Sequence, residues 1–287
     1  MSADSTFDAQ ASPSRVLSIG SERISVHDSG GSGPAVVLVH GNSSSSRVWE
    51  PLLTGELGKK YRLIAPDLPG HGQSADAEQM VRSRVYSIPG YADVVRAVAG
   101  QMGVENAVFV GWSLGGHAVL EAAASLPQAA GFMVFGTPPL PFPPTADFGG
   151  AFLKLGLGFV KDWSEDDARA WVADYMAPGM AAADFMLQDA RRTDGHARGS
   201  LAAGIGTVGY ADELTIIATI GRPLAIVQGA HEQIVNPAYL DGLAPTIPTL
   251  WRGKVQVVEG AGHAVQWENP AQFGALLDAF VADCQRG

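Results

Sequence analysis

"AVFVGWSLGGHAVLEAAASL" (Ala107–Leu126) is the stretch that decides the fold. Its opening apolar run, Ala107–Val110, reads as a strand buried on both faces, and the run from His117 onward reads as a helix. Between them Gly111, Ser113 and Gly115 form G-x-S-x-G in the context that gives the motif meaning: strand, sharp turn, helix. Such a turn strains the serine backbone, and the small residues on either side let strand and helix approach. The Ser113 hydroxyl then stands clear of the sheet at a helix N-terminus. The helix dipole and the free N–H of Leu114 favour negative charge there. Ser113 is therefore the candidate nucleophile and Leu114 N–H a candidate oxyanion donor.

Working outward, short apolar runs alternate with helical patterns. Arg15–Ile19 and Arg23–Gly30 read as a leading hairpin. Ala35–His40, Tyr61–Asp67, Ala107–Ser113, Gly131–Thr137, Pro223–Ala230 and Val255–Gly262 read as further strands. Helical stretches fall at about 47–58, 89–102, 115–126, 237–244 and 270–284. This alternation predicts an α/β domain with a mostly parallel eight-stranded sheet, helices on both faces and an antiparallel edge. From Pro138 to about Thr215 no buried strand is legible. The interval opens on the stiff "TPPLPFPP" and continues with helical pieces, one of them capped by Ser164 ahead of three acids. The expected organisation is a loose polar arm over 1–14, a core over 15–137 and 216–287, and a helical cap over 138–215.

Composition narrows the function classes. Of 287 residues 46% are apolar and 17% charged, enough for a sizeable core. The net charge of −10 argues against nucleic acid or an anionic membrane as the main partner. The single cysteine, Cys284, excludes a disulfide framework within the chain and disfavours a cysteine metal site. The first residues lack the basic and apolar regions of a secretory signal, and no run approaches a membrane span. The expectation is a cytoplasmic protein acting on a small molecule.

Three more stretches carry chemistry. "HGNSSSS" (His40–Ser46) follows a buried strand, where a second oxyanion N–H is needed. Asn42 is placed to give it, and its side-chain amide could touch substrate; the serines read as a polar loop and helix start. "EGAGHAVQWENP" (Glu259–Pro270) puts His263 on the loop after the last strand, where an exposed imidazole can serve as general base. The other histidines read differently: His40 and His71 as turn residues, His117 as a packing residue, His27 on the hairpin, and His196 as solvated. In "GAHEQIVNP" (Gly229–Pro237) Glu232 is a carboxylate able to hold the histidine Nδ1–H; Asp241 lies too far along, and His231 reads as a surface neighbour.

Taken together, "HGN", "DLPGHGQS" (Asp67–Ser74), "GWSLGG" and "GAGHAVQWENP" resemble the α/β-hydrolase superfamily over nearly the whole chain from Arg15. That superfamily usually has aspartate where Glu232 stands. The segments "SIPGYAD", "GTPP" and "ARRTDGHAR", with a glutamate acid, resemble its serine-dependent N-acyl-homoserine lactonases. The resemblance implies hydrolysis of a homoserine lactone ring under a helical cap, without metal or cofactor. Trp112, beside the nucleophile, and Trp171, where that group has a cap tyrosine, are candidate substrate-binding residues. The H-x-H-x-D-H pattern of zinc lactonases is absent, and so is a nucleophilic aspartate at position 113. A general carboxylesterase, a hydrolase of other lactones and a hydrolase-fold ligand receptor remain alternative readings.

Overall fold

The computed structural model describes residues 14–154 and 156–286. The expected arm over 1–14 lies, but for Ser14, outside the described residues. Eight strands form one sheet: β1 (Ser14–Ile19), β2 (Glu22–Asp28), β3 (Ala35–Val39), β4 (Arg62–Pro66), β5 (Val108–Trp112), β6 (Gly131–Phe135), β7 (Leu224–Gly229) and β8 (Gln256–Val258). Their order is β1-β2-β4-β3-β5-β6-β7-β8. Pairing is antiparallel for β1–β2 and β2–β4 and parallel elsewhere.

The strand positions follow from burial. Every residue of β5, β6 and β7 is buried, as a sheet covered on both faces requires. β8 is shorter than its sequence run implies, because it pairs with β7 alone and over three residues. The expected helix at 47–58 is instead three short pieces, Ser46–Trp49, Glu50–Leu53 and Glu56–Lys60. Pro51 opens the second piece and Gly55 separates it from the third.

The long helices end where their caps say. Ile88–Met102 starts at Ser87, whose side chain accepts from Gly90 N–H, and stops at left-handed Gly103. Between β6 and β7 lie helices Glu165–Ala173, Asp184–Arg192, Gly195–Thr207 and Glu213–Thr219. Ser164 caps the first in a reciprocal capping box with Asp167. The last of these helices straddles residue 215 and packs on the helix Leu114–Ala123, so the chain is back against the core from Glu213 onward. Among the described residues no helix is long and apolar enough to cross a membrane.

Candidate active site

Parallel pairing brings the ends of β3, β5, β6 and β7 to one edge, and the site is built on the loops that leave them. Ser113 follows β5 with φ 54° and ψ −121°, a left-handed backbone that L residues seldom adopt. The turn is possible because of its glycines. A Cβ on Gly111 would sit 2.4 Å from Gly115 O, and one on Gly115 would sit 2.3 Å from Val39 O. Ser113 N–H donates to Phe135 O at 2.9 Å, and Thr137 Oγ1 donates to Ser113 O at the same distance. The elbow is thus locked to β6. Leu114 opens the helix, so its N–H has no acceptor within that helix.

Backbone bonds also bring the acid and the histidine together. After β7, Ala230 N–H donates to Val258 O and His231 N–H to Ala261 O, laying the Glu232 loop beside the His263 loop. His263 Nδ1 then lies 2.9 Å from each carboxylate oxygen of Glu232. Glu232 Oε1 also accepts from Ile234 and Val235 N–H. Burial pushes the Glu232 carboxyl up, but the His263 charge and these hydrogen bonds outweigh it, so its pKa lies below the ordinary value. The His263 ring lies directly over Gly136, where a Cβ would come within 2.6 Å of it. Gly136 follows Phe135, the residue paired with Trp112, so the ring stands at the strand end beside Ser113.

Trp112, expected at the substrate, is fully buried. Its indole N–H donates to His263 O at 2.9 Å, and the two rings stand 5.5 Å apart. Trp112 is the last residue of a strand whose every side chain is covered, so it forms a floor under the histidine and has no surface for substrate. Trp171 does line the cavity, but its indole N–H is donated to Tyr175 OH, which donates in turn to Asn42 O at 2.6 Å. What Trp171 offers a ligand is ring surface.

Asn42 lines the cavity beside Ser113 and Leu114. Its side-chain amide is already committed, with Nδ2 donating to Gly158 O at 2.7 Å and Oδ1 accepting from Ser43 Oγ. The serines after it are not a solvated loop: Ser43, Ser44, Ser45 and Ser46 are all buried. Ser45 Oγ donates to Asp189 Oδ2 at 2.6 Å, and Arg198 Nη1 donates to Ser43 Oγ at 3.2 Å. These bonds fasten the loop after β3 to the helices above it. Tyr175 lies just past the end of the helix Glu165–Ala173, four residues after Trp171. Its ring stacks 6.3 Å from that of His263.

The remaining histidines fall into place. His40 accepts from Leu68 N–H and His71 bonds Pro69 O; both are fully buried, and burial depresses their pKa values. His117 was read as a packing residue, yet it lines the cavity and pairs with buried Glu213, 96 residues away. No local signal could have matched that pair. The cavity holds about 70 Å³ and is walled mainly by apolar side chains, including Ile88, Phe148, Phe152, Phe159 and Leu201.

Comparison with known proteins agrees with this geometry. Residues 36–276 match the family model described as the alpha/beta hydrolase family. A pimeloyl-[acyl-carrier protein] methyl ester esterase of Xanthomonas campestris pv. campestris is 32% identical over 262 residues, covering 88% of this chain and 96% of the relative. The solved structure of the N-acyl homoserine lactonase AidH with N-butanoyl homoserine superposes with a TM-score of 0.88 at 38% identity, covering 95% of this chain and 97% of that one. A thermophilic esterase from Thermogutta terrifontis, 19% identical with a TM-score of 0.76, covers 95% of this chain and 99% of its own and shares the fold.

Proposed function

The chain belongs to the alpha/beta hydrolase family and is an ester-bond hydrolase, and from that premise we propose that it opens the lactone ring of N-acyl homoserine lactones. In this reading Ser113 Oγ attacks the lactone carbonyl while His263 takes its proton. Glu232 holds the imidazole in one tautomer and stabilises the imidazolium. The N–H groups of Leu114 and Asn42 bind the oxyanion, each worth on the order of 3 kcal/mol. The ring oxygen leaves as an alkoxide, receives the proton from His263 and stays tethered to the acyl-enzyme. Water, activated by the same histidine, then releases an N-acyl homoserine. The apolar cavity beneath Trp171 takes the acyl chain. Degradation of a bacterial quorum signal would be the biological consequence.

One observation carries the substrate class: the likeness to a solved N-acyl homoserine lactonase extends over 95% of the chain, cap included. A second reading, cleavage of a carboxylic methyl ester, is favoured by the curated methyl ester esterases that match at 32% identity. Product mass separates the two. The purified protein is incubated with N-acyl homoserine lactones, with methyl esters of medium-chain acids and with p-nitrophenyl esters. A lactone product heavier by one water, which recloses on acidification, supports the first reading. Turnover of the methyl esters with lactones left intact supports the second.

A further inference from the structure

One polar group of the cavity wall, His117, takes no part in the proposed acyl transfer. His117 N–H donates to Ser113 O at 3.3 Å, so His117 stands one helical turn beyond the serine. Its Nδ1 lies 2.8 and 3.0 Å from the two carboxylate oxygens of Glu213. Glu213 is fully buried and also accepts from Leu140 N–H at 2.8 Å. Nδ1 faces the carboxylate and donates to it, which leaves Nε2 as the ring nitrogen open to a ligand.

His117 is 8% exposed, and what remains exposed lines the cavity beside Ser113. The other polar side chains of that wall are occupied. Asn42 is held by Gly158 and Ser43, and Lys154 is paired with Asp174. No described residue bonds His117 Nε2. A ring nitrogen with no protein partner on an otherwise apolar cavity wall calls for a polar partner on the ligand.

Spacing says which donor. His117 lines the same cavity as Ser113, one turn along the helix that Ser113 caps. In an α-acylamino lactone the amide nitrogen is bonded to the carbon next to the attacked carbonyl, about 2.5 Å from it. A hydrogen bond adds about 2.9 Å. The N–H of such a substrate therefore reaches a polar atom on the cavity wall up to about 5.4 Å from the attacked carbonyl. We infer that His117, oriented by Glu213, accepts the amide N–H of the substrate and makes this enzyme select lactones that bear an α-acylamino group. The inference rests on the lactonase reading and adds to it a specificity-determining residue.

The test uses two substrates: an N-acyl homoserine lactone and the same lactone with a methylene in place of the amide N–H. The wild-type protein should favour the amide by at least about tenfold in kcat/KM, the worth of one well-made hydrogen bond in a dry site. His117→Phe should bring the ratio close to one, and His117→Gln, which keeps an acceptor, should restore part of it. A purely structural role for the His117–Glu213 pair would lower both rates together and leave the ratio unchanged, which overturns the inference. If His117→Phe fails to fold, the wild-type ratio decides alone, and a value near one overturns it. Should the wild type cleave methyl or aryl esters and neither lactone, the lactonase reading falls and this inference falls with it.

Discussion

Two histidine–glutamate pairs stand within one site, and their contacts are almost the same. His263 Nδ1 lies 2.9 Å from both oxygens of Glu232, and His117 Nδ1 lies 2.8 and 3.0 Å from those of Glu213. Each carboxylate also accepts backbone N–H groups, from Ile234 and Val235 in one case and Leu140 in the other. Their supports differ. His263 rides on a loop laid over Gly136 at the end of the strand beside Ser113. His117 is fixed on the helix that Ser113 itself caps, and faces the cavity wall. A histidine held by a carboxylate can be a base or an acceptor for a ligand; its position relative to the nucleophile decides which. In the proposed reaction the pair on the post-strand loop transfers the proton and the pair on the helix recognises the substrate.

The sharpest way to break this comparison is to delete each imidazole. His263→Ala should lower kcat/KM by roughly 10⁴-fold or more on every ester and lactone, as loss of a general base does when nucleophile and base act as a unit. His117→Phe should give a smaller loss that depends on the substrate, largest where an amide N–H is present. Steady-state kinetics on a lactone and an aryl ester measures both. Equal losses from the two variants, on both substrates, would show that the roles are not divided.

The carboxylates come next. Glu232→Gln removes the charge that stabilises the imidazolium, and activity should fall by about 10²–10⁴-fold while the fold persists. Glu213→Gln leaves a buried site imperfectly paired, so the effect should fall mainly on stability, about 1–3 kcal/mol by urea unfolding. Near-full activity in Glu232→Gln would remove the acid assignment.

The two pairs were also unequally legible. His263 and Glu232 stand in post-strand turns, and those strands announce themselves as apolar runs such as "PLAIVQGA" that both faces of a sheet must bury. In chain order they follow the Ser113 turn, the acid first and the histidine second. Glu213 could not be read, because its partner is 96 residues away and nothing local marks a glutamate that will be buried. The Asn42 amide is a similar case, since its capture by Gly158 O joins residues 116 apart. Trp112 is buried and not at the substrate, because adjacency in sequence says nothing about which face of β5 a side chain takes. Motifs transmit what a single strand–turn–helix unit dictates, whereas contacts between the inserted helices and the core depend on how two separately formed layers dock.

A smaller effect separates the carboxylates that hold the His263 loop. Glu268 accepts from Gly262 N–H and Ala177 N–H, tying that loop to the helices above, and burial raises its pKa. Glu232 is depressed, against an ordinary value of 4.5 for both. The linkage signs are therefore opposite. Below 4.5, and down to the native pKa of Glu232, the unfolded chain binds the proton first, so acidification costs stability. Above 4.5, and up to the native pKa of Glu268, the folded chain binds the proton first, so acidification adds stability. Urea midpoints measured from about pH 3.5 to about pH 5.5, roughly a unit either side of the ordinary value, should show it. Glu232→Gln should flatten the acid limb below 4.5, and Glu268→Gln should flatten the opposing slope above it. If Glu232→Gln leaves the acid limb as steep as in the wild type, the carboxylate is not held ionised by His263. The proton-transfer pair would then lose the electrostatic feature that sets it to work beside Ser113.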